Sequence, residues 1–156
     1  MDLPANITNA LNPLFVALPP RQAMAQLVVG QGATAELIQL VEGIVKNEAM
    51  VGAPALEAAL WLYIDELDRS HRVSQGIEDQ TGSFWHGIMH RREGDFSNSH
   101  YWFNKVEHHP AMDLIEGYDA HEFVDAAQAR HEGNPNDLVD LQRREWQTLF
   151  EWCAKA

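Results

Sequence analysis

Cysteine occurs once in these 156 residues, at Cys153, so neither an intrachain disulfide framework nor a multi-cysteine zinc site can be built. A lone thiol suits a reducing compartment. No apolar run reaches the roughly 18 residues of a membrane span, and the opening Met1-Asp2-Leu3-Pro4 lacks the basic region of a secretory signal. The expectation is a cytoplasmic protein with no membrane partner. Positive charge is scarce: 11 Lys and Arg against 23 Asp and Glu leave a net charge of −12 with the eight His neutral. Such a field repels phosphate backbones, and the adjacent basic pairs Arg91-Arg92 and Arg143-Arg144 are too small for a nucleic-acid footprint. No nucleic-acid partner is expected, although one such pair suffices for a small anion. Also missing is any run of alternating apolar and polar residues long enough for a strand.

What is present describes a folded helical chain. Hydrophobic residues make up 46% of the sequence and charged ones only 22%, far from the composition of disordered segments. A domain of this size buries about 70% of its unfolded surface, enough for one real core. The expected architecture is a single all-α domain over residues 1–156 with about six to eight helices.

Apolar spacing places those helices. Ile7, Leu11, Leu14, Phe15 and Leu18 share a helical face, with Pro13 expected to shorten or break it, and Pro19-Pro20 leads into another turn from Arg21 to Val29. Gly30-Gln31-Gly32 lacks the spacing of a phosphate loop and reads as a joint, after which Thr34 caps a helix carrying Leu37, Leu40, Val41, Ile44 and Val45. One helix is expected from Pro54 to His71, ending in the neighbours Asp68 and His71. Residues 74–83 form a loop, Ser83 caps a helix to about Glu93, and Ser97 or Asn98 caps the next, to about Val106. Asp119 caps a helix to His131, and Asp137 to Ala154 is the last.

Polar chemistry concentrates in residues 83–102. On a helix, His86 and His90 stand one turn apart and Glu93 follows three beyond His90, so the three project from one side. Two imidazoles at that spacing can ligate zinc or a similar divalent ion, with a third ligand from His71, Asp68 or His109. A metal-free site is the alternative, one His acting as general base and Glu93 or Asp68 fixing its tautomer. The spacing matches the His-Glu-x-x-His of metalloproteases, but Gly87 stands where the general-base glutamate belongs. Arg91 and Arg92 point to different sides, so at most one can orient an anionic substrate while the other is solvated or paired. Tyr101 can border a pocket, while Trp102 is the better core residue; His100, His121 and His131 read as surface or capping residues.

The set Trp85-His86-x-x-Met89-His90-Arg91-Arg92-Glu93-Gly94-Asp95-x-x-Asn98-x-x-Tyr101-Trp102-Phe103, with Leu60-Trp61-Leu62 and Ser70-His71-x-x-Ser74-Gln75 before it and His109-Pro110 after it, resembles a group of small bacterial and fungal proteins. About the middle third of the chain carries the likeness. That group has no assigned activity, so the resemblance implies no catalytic role. Its members follow the Tyr-Trp pair with a basic Arg-Val-Gly segment; Asn104-Lys105-Val106-Glu107 stands here instead, so no anion site carries over at that segment. Residues 94–103 also resemble the joint and second helix of a tetratricopeptide-type hairpin, spanning about 84–106, with no second copy at the 34-residue period.

Two functions follow as expectations. One is a metal-dependent hydrolase or lyase acting on a small anionic molecule, with His86, His90, Glu93 and Asp68 as catalytic groups, Arg91, Arg92 and Tyr101 on substrate, and His71, His86 and His90 around the ion with His109 as an extra ligand. The other is a non-enzymatic helical interaction module whose His and aromatic cluster is structural.

Overall fold

The helix that the rest of the chain surrounds is α5, Gln80–Glu93, in which every residue from Phe84 to Arg92 is buried. The computed structural model covers residues 1–156 and holds eight α-helices, one 3₁₀ turn and no strand. They are α1 (Ala5–Ala17), α2 (Ala35–Ile44), α3 (Pro54–Tyr63), α4 (Leu67–Ser74), α5, α6 (Phe96–Val106), the 3₁₀ turn Pro110–Leu114, α7 (Ala120–Arg130) and α8 (Asn136–Lys155). No helix is long and apolar enough to cross a membrane. One continuous apolar core runs from Ile7 on α1 to Phe150 on α8; Leu27, Phe123, Leu138 and Val139 form a small satellite between α7 and α8. The all-α, single-domain expectation is met.

Boundaries moved where side chains outside the local sequence decide them. Helix α1 runs unbroken through Pro13, because that residue lies on the exposed face, where water can take the carbonyl left without a donor. The expected turn of helix at 21–29 is irregular chain instead. Its carbonyls are claimed by side chains from elsewhere: Arg143 donates to Ala23 O, Gln142 to Met24 O and Gln26 O, and Arg92 to Gln26 O. Asp79, not Ser83, caps α5 by accepting from Gly82 N at 2.8 Å. Asp95, not Ser97 or Asn98, caps α6 in the same way through Asn98 N. Thr34 and Asp119 cap as expected.

The single helix expected from Pro54 to His71 is two. Asp65 has φ +66°, a left-handed conformation that ends α3, and Arg92 supplies the reason. Its guanidinium donates to Leu62 O at 2.8 Å, beside the Asp65 N–H that the same carbonyl accepts at 3.1 Å, and to the Asp65 carboxylate at 2.6 Å, which fixes the turn in place. Ser70 then donates to Ala58 O, folding α4 back along α3. That reversal carries His71 onto α5.

Helices α5 and α6 form a hairpin through Gly94, whose φ of +85° a glycine adopts without strain. A close approach sets its separation: Ser99 donates to Gly87 O at 2.7 Å, and a Cβ on Gly87 would stand 2.9 Å from the Phe103 ring. No repeat accompanies this hairpin. In an unhindered helix Gly→Ala gains about 1 kcal/mol. Gly87→Ala is expected to reverse that sign and lose roughly 1–3 kcal/mol in urea denaturation, as over-packing does.

Both arginines of the 91–92 pair are fully buried and each is paired with an acid, so the expected pairing is met while neither is solvated and neither faces a substrate. Arg91 makes a bidentate pair with Glu145 of α8, at 2.9 and 2.6 Å, and lies over the Phe123 ring; Tyr118 donates its hydroxyl to the same carboxylate. Removing one partner of such a pair leaves a bare buried charge. Arg91→Met is expected to cost about 3–5 kcal/mol, and Arg91→Met with Glu145→Gln to recover a large part, measured by denaturation at neutral pH.

Candidate metal centre

Three imidazoles meet where α4 lies against α5. One nitrogen from each of His71, His86 and His90 falls within 4.8 Å of the other two. His86 and His90 follow from their one-turn spacing on α5; His71 arrives because Asp65 and Ser70 turn α4 back. The His71 ring meets His86 edge-on with centroids 4.7 Å apart, and His90 at 5.4 Å. His86 and His90 lie nearly parallel at 4.8 Å. His86 is 2% exposed and His90 6%, while His71 is half-buried, so approach is from the α4 side.

The electrostatics favour a neutral His86. Burial first, then the charges of His90, His71 and Lys105, pull the His86 pKa down to about 3. Its Nδ1 is buried with no hydrogen-bond partner. An unpartnered buried polar atom costs about 1–3 kcal/mol, and this one is joined by Trp85 Nε1, Arg91 Nε, Arg92 Nε and Gln142 Oε1; His86 Nδ1 differs from those in belonging to a ring of the three-imidazole cluster. His90 differs: Glu93 Oε1 lies 2.6 Å from its Nδ1, a pairing that puts the proton on Nδ1 and makes Nε2 the ligand atom, whose present hydrogen bond from Asn98 an ion would replace. Asn98 Nδ2 stands 3.2 Å from that Nε2.

The remaining expected site residues go elsewhere. Asp68 is exposed and outside the cluster, so its carboxylate fixes no imidazole there. His109 sits in a separate environment, with Nε2 3.0 Å from Thr81 Oγ1 and Nδ1 accepting from Ala111 N, which caps the 3₁₀ turn. It stands outside the three-ring cluster and is no further ligand. Arg91 and Arg92 are consumed by Glu145, Asp65 and backbone carbonyls, so neither reaches a substrate. Tyr101 is 53% exposed and lines a groove of about 780 Å³ between the start of α5 and the end of α6.

Two residues of the site escaped the sequence reading. Trp102 is half-buried and stacks flat on His86, centroids 3.7 Å apart, instead of entering the core. Asn98 faces His90. Both stand as far beyond the Gly94 turn as their partners stand before it, and hairpin pairing was the available signal. His100 and His121, expected on the surface, form a half-buried parallel pair with Nδ1 atoms 2.7 Å apart, and His100 Nε2 meets Asp125 at 2.8 Å.

No protein-family model, curated protein or solved structure significantly matches the chain. Function therefore has to be argued from this geometry.

The depressed His86 pKa has a consequence for stability. Between pH 6.5 and about 3 the unfolded ring takes up a proton that the folded one refuses, so stability is full above pH 6.5 and falls with acid through that window. His86→Phe, which keeps a flat ring against Trp102, is expected to flatten this part of the pH dependence. Thermal unfolding with a chelator present, from pH 7.5 to 4, measures it; parallel wild-type and variant curves would contradict the assignment.

Proposed function

We propose that the chain binds one divalent transition-metal ion, zinc or a similar one, through His71, His86 and His90, and uses it in hydrolase or lyase chemistry. The observation that carries this is the convergence of three imidazoles from two helices, one of which, His86, is held neutral with its Nδ1 buried and unpartnered. Neutral nitrogens are what such an ion requires. Tetrahedral ligands about 2.0–2.1 Å from zinc stand roughly 3.3 Å apart. The cluster is wider, with a bound of 4.8 Å, so a ring has to draw in. The half-buried His71, on the short helix α4, is the one free to do so.

Three protein ligands leave a fourth position for water, whose pKa zinc lowers to near 7. Glu93 orients His90 and raises its basicity as a ligand, the role of the carboxylate in a carboxylate–histidine–metal chain. Asn98, beside His90, is placed to hydrogen-bond a group at the open position. With Arg91 and Arg92 paired inside, Lys105 is a cation close enough for its charge to act on His86.

One observation favours the interaction-module alternative: Leu114, 66% exposed, and Trp152, 38% exposed, line an open groove against α8. Metal analysis separates the two. Tag-free protein equilibrated with zinc and freed of excess is expected to retain one ion per chain, and His86→Phe to retain none while melting no lower than the metal-free wild type. A wild type without stoichiometric metal, together with a destabilised His86→Phe, would overturn the proposal and support a structural cluster.

A further inference from the structure

The groove beside Trp102 has a composition that the metal centre does not explain. Tyr101 and Trp102 set their rings at 89°, centroids 5.5 Å apart, as two adjoining walls. The Lys105 ammonium lies 4.9 Å from the Tyr101 centroid and 4.5 Å from that of Trp102. Two perpendicular aromatic faces with a cation before both have the form of an aromatic cage, in which ring quadrupoles replace the water around the charge. Here the chain's own lysine takes the seat.

The charges around that seat are negative. Glu78, Asp79 and Glu107 line the same groove, against Lys105 alone. Lys105 forms no ion pair with any of them: it faces the rings, and the three carboxylates keep their charge uncompensated. The only lining carboxylate with a fixed donor is that of Asp79, which caps α5 through Gly82 N. An anionic ligand would meet three like charges and one mobile lysine. A cation would meet a favourable field and two rings.

We propose that this groove binds a small organic cation, a quaternary ammonium or alkylammonium group, which displaces Lys105 from the faces of Tyr101 and Trp102. About 780 Å³ is ample room for the head group and a short chain. Trp102 is also the ring stacked on His86, so the groove and the imidazole cluster share a wall. Cation binding itself stands whether or not a metal occupies the cluster.

Choline and its neutral isostere 3,3-dimethylbutan-1-ol differ in charge and hardly in shape. Each is titrated into isotopically labelled protein, with chelator and again with zinc, following amide and indole NMR shifts. Choline is expected to bind saturably, moving signals of Tyr101, Trp102 and Lys105, and to bind about two- to fivefold tighter than the alcohol, as a surface cation–π contact allows. Lys105→Met vacates the seat and should tighten choline binding. Tyr101→Ala, at an exposed position that the fold does not need, should weaken it about fivefold; this keeps the test open if Trp102→Ala fails to fold. Equal binding of the two ligands, no effect of Tyr101→Ala, or phosphate moving the same signals in place of choline would overturn the proposal. A choline response with chelator present but no zinc retention would refute the metal centre and leave the groove standing.

Discussion

Two guanidinium groups taken completely out of water hold this fold together, and both come from adjacent positions on the most buried helix. Desolvating a charge costs several kcal/mol unless it is paired and its donors are used. Arg91 meets most of that demand with the Glu145 carboxylate and the Phe123 face, and in both arginines Nε alone is left without a partner. Arg92 meets it with Leu62 O, Gln26 O and Asp65. Each partner is remote in sequence, so satisfying the two charges fixes α8, the end of α3 and the irregular segment 21–29 around α5 at once. Burial pushes the Arg92 pKa down, and the Asp65 carboxylate pulls it back toward the charged form.

The imidazole cluster is a by-product of that constraint. Because Arg92 takes the Leu62 carbonyl and Asp65 turns left-handed, the chain reverses and lays α4 on α5. His71 thereby reaches His86 and His90, a juxtaposition that one straight helix from Pro54 to His71 would not have produced. The Gly87 approach to Phe103 brings α6 close enough for Trp102 to cover His86 and for Asn98 to face His90. The site therefore depends on two backbone decisions, one made by a buried arginine and one by a missing side chain.

Helix content was legible because apolar residues recur at three and four along most of the chain and because Thr34 and Asp119 announce helix starts. The His86–His90–Glu93 face was legible for the same reason: helical spacing alone puts those side chains on one side. Illegible were the events decided at a distance. Nothing near Asp65 signals a break, since its cause is 27 residues away at Arg92. Nor does Arg91-Arg92 announce burial; two adjacent arginines in an acidic chain suggest solvent or a ligand, and only Glu145 and Asp65 show otherwise. Asp68 misled because the progression of the expected long helix ends before it. His109 misled because position near a helix end does not reveal that its ring stands outside the cluster, against Thr81 and Ala111.

The account stands on three imidazoles from two helices sharing one ion. Anomalous diffraction at the zinc edge, from crystals grown with zinc, tests this most directly. A single strong peak about 2.0–2.2 Å from one ring nitrogen each of His71, His86 and His90 is the predicted result. Zinc found only elsewhere, for example on the His100–His121 pair, with the three rings unmoved, would contradict it.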